Sequence, residues 1–433
     1  MKKNYQTDGA AVAISAGIAM PQSVTVAMAE LTGALKEGLL ALAVGAGLQV
    51  MQVVMEESVT ELAGQKGRHD PNRSAVRHGS EDGSVTLGGR RVPVRRPRVR
   101  AADGSGELAV AAYELFASTE LLGQLALERM MAKLSTRRYP AGLEPVGSAV
   151  EAVATSTSKS SVSRRFVERT EVALAEMLSA DLTGLDLMAL MVDGVHFAEA
   201  CCVVALGISA DGTKVPLGVV EGATENASVV TDLLVGLRER GLDVTRPTLV
   251  VIDGSKALAS AVRAVFDRPA IQRCQLHKVR NVESKLPKAL AALVAKKMRA
   301  AYRDPDPLAA QAALEQLARD LAKAHPGAAA SLREGLVETL TVGRLGVPPT
   351  LARTLRSTNA IESMIEICRD HATNVKRWRD GQMALRWCAA GMGEAAKQFR
   401  RVNGHLHLPA LRRALEAHFD KPATITNSEM AAA

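Results

Sequence analysis

The sequence predicts a mixed α/β chain: a stranded core interrupted by an all-helical segment and preceded by a mainly helical region. Three observations predict it. Apolar runs of strand length crowd between residues 184 and 255. Residues 281–355 carry only helical periodicity. Residues 24–182 also read as helical, apart from one basic stretch punctuated by Pro and Gly.

At 433 residues the chain is long enough for several domains, and an apolar fraction of 47% is that of a folded protein. The 54 basic and 46 acidic residues give +8, which points to a polyanionic partner. Five cysteines (Cys201, Cys202, Cys274, Cys368, Cys388) have no framework spacing, as expected of a reduced cytoplasm. Residues 39–55 are apolar, but Gln49 and Gln52 interrupt them, so an amphipathic or buried helix is expected and no membrane partner. The first twenty residues imitate a signal peptide, but the polar YQTDG separates their lysines from the apolar run.

Residues 1–65 form an N-terminal helical region, with a helix over 24–63 that is a candidate dimerisation element. Residues 66–105 form a basic β-ribbon or arm. Residues 66–100 contain ten Lys/Arg and three Asp/Glu, and Gly88-Gly89 marks a hairpin turn. Arg90, Arg91, Arg95, Arg96, Arg98 and Arg100 are candidate phosphate contacts, against the plainer reading of a solvated charged loop.

Residues 106–183 form a helical DNA-binding region. Within 147–182 a short helix, a Ser/Thr stretch and a second helix have the layout of a helix-turn-helix. Lys159, Ser161, Ser163, Arg164 and Arg165 near the start of the second helix can reach bases and phosphates. Two packed helices with a Ser-rich cap are the alternative.

Residues 184–280 form the first part of the core. LMALMVDG, CCVVALGISADG and VPLGVVEG read as three strands, with a turn at Asp211-Gly212-Thr213. A helix over 225–240 opens at Thr224 and Glu225 and closes at Gly241. TLVVIDGSKAL is a buried strand that again ends in Asp-Gly. Residues 281–355 are an all-helical insertion domain with breaks at Pro287, Pro305, Pro307, Pro326 and Pro348-Pro349. Residues 356–420 return to the core as helices, and 421–433 are expected to be a disordered tail.

Antiparallel strands, a helix and a parallel strand, with Asp193 and Asp253 at the first and fourth strands, give the order of a ribonuclease H-like fold. The stretch RSTNAIESMIEICRD supplies a third carboxylate, Glu362, in the second turn of a helix capped by Ser357 or Thr358. Alone, each Asp-Gly reads as a turn. Together, the three carboxylates suit Mg²⁺ or Mn²⁺, which prefer hard oxygen ligands. Two such ions about 4 Å apart can hold a scissile phosphate between attacking and leaving oxygens.

The stretches MVDGVH, VIDGSKAL, RCQLHKVRN and STNAIES, in this order, resemble bacterial Mutator-like transposases of the insertion-sequence 256 type, over roughly residues 66–415. The resemblance implies that Asp193, Asp253 and Glu362 are the catalytic, metal-binding DDE triad. It also implies that Cys274 and His277 are the C-x-x-H motif, and that Arg369, two helical turns beyond Glu362, contacts DNA. A helical insertion between Asp253 and Glu362 also fits that family. The first sixty residues match none of its motifs.

Other residues carry weaker readings. Cys274 and His277 lack a second ligand pair, so no zinc is expected and a structural or positioning role is preferred. His196 reads as structural. Trp378 is a candidate for stacking on an unpaired base or, like Trp387, a core residue. Lys376, Arg377 and Arg379 beside it are candidate DNA contacts.

The expected function is that of an insertion-sequence transposase. It would bind terminal inverted repeats and cleave and join strands with two Mg²⁺ or Mn²⁺ ions per site. It would work as a homodimer or higher homo-oligomer on the bacterial nucleoid. Two alternatives stand beside it: a ribonuclease H-like nuclease or resolvase, and a catalytically silent DNA-binding relative.

Overall fold

The computed structural model describes residues 38–68, 70–222 and 226–420. The expected helix over 24–37, the signal-like start, the Thr224-Glu225 helix opening and the tail after 420 lie outside the described residues. The chain divides into two compact units, one of residues up to 122 with 140–158, the other of residues 123–139 with those from 159 onward.

In the first unit, helix α1 (Leu39–Ala63) is followed by the hairpin β1 (Ala75–Leu87) and β2 (Arg90–Ala101), the short β3 (Glu107–Leu108) and helix α2 (Ala111–Ala117). The strands form one antiparallel sheet in the order β1-β2-β3. Gly88 and Gly89 have φ of 55° and 75°, the left-handed pair that a two-residue hairpin loop demands. Val59 and Ala63 of α1 pack on Ala75, Val99 and Val110 to make a small core.

Most of the ribbon arginines have partners within the protein. Arg90 is 3% exposed, pairs with Glu151 at 2.8 Å and donates to the Gly88 and Glu144 carbonyls. Arg91 is half-buried and donates to Ser84, Thr86 and the Ala117 carbonyl. Arg95 pairs with Asp82, Arg96 with Glu81 and Glu107, and Arg98 with Glu107 and Glu81. Carboxylates on the neighbouring strands absorb the charge that the sequence places in one run. Arg100 is exposed and has no ion pair among the described residues.

Helix α3 (Glu120–Met131) spans the boundary between the units. Helix α4 (Ser148–Val153) belongs to the first unit and α5 (Lys159–Ser179) to the second.

The second unit is built on a mixed sheet of β4 (Leu187–Phe197), β5 (Ala200–Ser209), β6 (Lys214–Glu221), β7 (Thr248–Ile252) and β8 (Pro269–Arg273), in the order β6-β5-β4-β7-β8. β4, β5 and β6 are antiparallel, whereas β7 runs parallel to both β4 and β8. Between them lie α6 (Ala227–Glu239), capped by the Asn226 side chain, and α7 (Lys256–Val265), capped by Ser255. Leu190, Val192, Val250 and Ile252 pack on these helices. Side chains alternate across a strand, so Met191, Asp193, Val251 and the position of Asp253 belong to the opposite face. Helices α14 (Asn359–His371) and α15 (Gly381–Gln398) contact the sheet, α14 on β4 and α15 on β5 and β6. A Cβ at Gly391 of α15 would lie 2.9 Å from the Cys368 Cα of α14, so the missing side chain lets the two helices approach closely.

Helices α8 (Gln275–Glu283), α9 (Lys288–Ala301), α10 (Pro307–Ala322) and α11 (Pro326–Arg333) enclose their own apolar cluster, from Val279 to Leu340. Buried polar groups brace this cluster and tie it to the sheet. Lys278 Nζ donates to the Ser331 carbonyl at 2.7 Å and the Glu334 carbonyl at 2.6 Å, and Gln272 bonds the Thr339 carbonyl and the Val342 N–H. Helices α12 (Thr341–Arg344) and α13 (Pro349–Leu355) lead back to α14, and α16 (Leu408–Asp420) ends the described chain. No helix among the described residues is long and apolar enough to cross a membrane.

Candidate active site

Met191 of β4 and Val251 of β7 are register partners in the parallel ladder. Asp193 and Asp253 each follow two residues later, at positions that strand alternation assigns to the same face of the sheet. The apolar runs before them are fully buried, so the sheet fixes where both carboxylates begin.

Glu362 comes from α14, which packs against β4. The helix starts at Asn359, which places Glu362 in its first turn rather than the second. The cap also differs from expectation. Thr358 occupies the N-cap position but its side chain bonds no helix N–H. Its hydroxyl donates to Glu362 Oε1 instead.

Each of the three carboxylates has one oxygen held by a protein donor. The Gly194 N–H donates to Asp193 Oδ1 at 2.8 Å, the Ser255 N–H donates to Asp253 Oδ1 at 2.8 Å, and Thr358 holds Glu362. The second oxygen of each receives no hydrogen bond among the described residues. Burial pushes the Asp193 carboxyl up to about 6; the Gly194 N–H opposes this, and the charges of Asp253 and Glu362 reinforce it. The charges of Asp253 and Glu362 thus act on Asp193, although among the described residues the three carboxylates do not form a group with donor atoms all within 4.8 Å of one another.

Cys274 and His277, at the start of α8, adjoin Glu362. His277 Nε2 lies 3.9 Å from Glu362 Oε1. Its pKa is pushed up to about 9 by the hydrogen bond to Cys274, against burial, with help from the charges of Cys274, Glu362 and Asp193. Burial alone would raise the Cys274 thiol, but hydrogen bonds from His277 and Thr358 outweigh it and the net shift is downward. Donor atoms of Cys274, His277 and Glu362 lie within 4.8 Å of one another, close enough to hold a metal ion. The Thr358 hydroxyl, however, is 3.4 Å from both Cys274 Sγ and His277 Nδ1 and bonded to Glu362. The trio is therefore organised around the Thr358 hydroxyl.

Arg273, which nothing in the sequence singles out, adjoins the loop after β7. Its Nη1 donates to the Gly254 carbonyl at 2.9 Å, and its Nε pairs with Glu338 of the insertion, so it clamps the loop that carries Asp253. All it shows there is an arginine ending an apolar strand next to the C-x-x-H motif. Thr358 was visible only as a cap.

Arg369 lies exposed in the last turn of α14, and Lys376, Arg377 and Arg379 lie exposed between α14 and α15. Arg379 lines one cavity with Ser163 and Arg164 of α5, together with Glu168 and Glu171. Lys159 is exposed at the start of α5, whereas Ser161 and Arg165 have partners within the protein. Trp378 is half-buried, packs on Phe197 at 4.8 Å with the rings tilted by 41°, and meets Trp387 edge-on at 6.2 Å. His196 is exposed, with Nε2 3.9 Å from Cys201 Sγ.

Comparison with known proteins points to one family. The sequence profile described as Transposase, Mutator family, matches residues 25–402. A transposase for insertion sequence element ISRM5 from Rhizobium meliloti is 27% identical over 84% of this chain and 90% of its own length. A transposase for IS6120 from Mycolicibacterium smegmatis is 32% identical over 52% of this chain and 70% of its own. A transposase for IS256 in transposon Tn4001 from Staphylococcus aureus is 27% identical over 73% of this chain and 80% of its own. With a family match that takes in most of its length, the chain belongs to the Mutator family of transposases.

Proposed function

We propose that Asp193, Asp253 and Glu362 are the DDE catalytic centre of a ribonuclease H-like domain that cuts DNA at transposon ends and joins the 3′-hydroxyl to target DNA. One observation supports this reading: Asp193 and Asp253 each lie two residues beyond the register pair Met191–Val251, and the charge of Glu362 on α14 acts on Asp193. The sheet order, with three antiparallel strands followed by two parallel ones, supports the fold assignment.

The donor set suits divalent cations. The carboxylates are hard oxygen ligands, each already oriented by one hydrogen bond, and their mutual repulsion is of the kind a cation relieves. Two Mg²⁺ or Mn²⁺ ions, when bound, would activate the attacking hydroxyl or water and stabilise the leaving oxygen. The chain's own part is positional. Gly194, Ser255 and Thr358 hold the carboxylates, Arg273 holds the Asp253 loop, and His277 places positive charge beside Glu362. Phosphoryl transfer asks little of an enzyme beyond such positioning and charge.

The DNA-binding reading of α5 rests on Lys159, Ser163 and Arg164 in its first turns, with Arg379 beside them. Pairing two transposon ends calls for at least two protomers.

The test is incubation of the full chain with Mg²⁺ and a labelled duplex carrying the element's inverted-repeat end, beside Asp193→Ala. Joining by the wild type alone supports transposition. Cleavage without joining favours a nuclease or resolvase, and binding without cleavage sinks the catalytic reading.

A further inference from the structure

Two open cavities of the second unit meet beside the first turn of α14. The larger, about 700 Å³, is lined by Arg299, Arg303, Arg353 and Arg356, and the smaller, about 470 Å³, by Lys214, Arg353, Arg400 and Arg401. Arg353, Ser357 and Asn359 line both, so the two form one trough. Its walls hold seven basic side chains and no carboxylate. That separation is unusual in a chain where 46 acidic residues accompany 54 basic ones, and where the ribbon arginines are largely paired with acids.

The trough's own charges are poorly compensated. Arg303, Arg353 and Arg400 are exposed, and none has a side-chain hydrogen bond or ion pair among the described residues. Arg356 donates to the Tyr302 carbonyl at 3.0 Å, but its buried Nε has no partner. Among the described residues two carboxylates pair with it from outside: Glu283 lies 3.5 Å from Arg299, and Asp211 lies 3.5 Å from Arg401. Lys214 sits over the Phe399 ring at 4.7 Å. Uncompensated cations along a groove repel one another and attract a polyanion.

The trough leads to the chemistry. Asn359, Ala360 and Ser363, which line it, surround Glu362 on α14. We propose that it binds the phosphodiester backbone of the DNA strand that flanks the scissile phosphate. Arg303 and Arg353 contact successive stretches of that backbone, and Ser357 and Asn359 lie where the strand turns towards Glu362. This inference rests on the transposase reading of the carboxylate site and names where its substrate runs. An extended strand fits better than a small anion, because the charges are spread over two joined cavities instead of converging on one point. Phosphate contacts of this kind fix register without reading sequence.

The test measures binding of the full-length protein to a labelled duplex carrying the inverted-repeat end, across a salt series. The variants are Arg303→Ala/Arg353→Ala and, as a control outside the trough, Arg333→Ala/Arg413→Ala. Two lost phosphate contacts should flatten the plot of log affinity against log salt by about 1.8 and weaken binding roughly tenfold. The control pair should leave both unchanged, and unaltered thermal unfolding should show that the trough variant is folded. Strand joining should fall with affinity and recover when salt is lowered. An unchanged salt slope in a folded trough variant overturns the proposal, as does an equal loss in the control pair. Cleavage by the wild type is read separately, so failure of the catalytic reading is distinguishable from failure of the trough.

Discussion

Thr358 donates a hydrogen bond to Glu362 four residues along the chain, across the first turn of α14. The same hydroxyl is 3.4 Å from Cys274 Sγ and from His277 Nδ1. Thr358 is fully buried, so these bonds escape competition from water. One hydroxyl therefore links the C-x-x-H motif to the third carboxylate. A side chain that orients a metal-binding carboxylate is typically worth 10–100-fold in metal affinity or activity. Thr358→Val keeps the shape and removes the hydroxyl. It should lower the cleavage rate about tenfold or more and raise the Mg²⁺ concentration needed for half-maximal activity, while Thr358→Ser should restore most of both. Equal activity of the Val variant and the wild type would exclude the link.

The raised pKa of Asp193 makes a prediction for the protein free of divalent ions. Its folded value is about 6 against an ordinary 3.8. Below the ordinary value both folded and unfolded states hold the proton. Between the two values only the folded state holds it, so stability falls as pH rises through this window and then levels off. Thermal unfolding in EDTA from about pH 4 to about pH 7 should show that decline, and Asp193→Asn should remove it. Mg²⁺ should reverse the trend by favouring the ionised form, so its stabilising effect should grow as pH rises through 6. A pH profile identical in wild type and Asp193→Asn would show that Asp193 is not the titrating group.

Two arginines of the ribbon should behave in opposite ways. Arg90 is buried between Glu151 and two carbonyls, so Arg90→Ala leaves buried acceptors without a donor and should cost about 1–3 kcal/mol in denaturant unfolding. Its effect on the salt dependence of DNA binding should be small. Arg100 is exposed and has no ion pair among the described residues, so Arg100→Ala should leave stability within about 0.5 kcal/mol. If the ribbon tracks DNA, the salt slope should drop by about 0.9 in that variant. Loss of slope on Arg90→Ala without loss of stability would return Arg90 to the role its sequence position suggested.

The contrast shows which parts of the molecule the sequence made legible. Asp193 and Asp253 could be found because strands write themselves as apolar runs, and both carboxylates sit where such a run stops. The hairpin was legible because a two-residue loop needs left-handed backbone, and Gly88-Gly89 supplies it. The fate of the ribbon arginines was not legible, because Glu151, Glu144 and Glu107 reach them through folding and not through proximity in sequence. The basic trough was hidden for the same reason. Lys214, Arg303, Arg353 and Arg400 are scattered singly through the chain, and no local window registers them as a patch. Thr358 looked like a helix cap because its position says so. Only the packing of α8 beside α14 reveals that its hydroxyl has a better partner.

Gly335 offers a test of how the insertion domain reaches the active site. Its φ is +60°, and a Cβ there would lie 2.6 Å from Cδ and Cζ of Arg273. Arg273 cannot easily move aside, because it pairs with Glu338 and holds the Gly254 carbonyl next to Asp253. Gly335→Ala should therefore combine backbone strain with displacement of the clamp, at a cost of about 1–3 kcal/mol. Cleavage should fall as well, because the Asp253 loop loses its fixed position. Arg273→Ala should be destabilising on its own, through the unpaired Glu338. In the double variant the steric conflict is gone, so the combined cost should be smaller than the sum of the two single costs. Denaturant unfolding of all four proteins gives the coupling energy directly. Simple additivity would mean that the glycine and the arginine act independently, and that the insertion does not govern the Asp253 loop through Arg273.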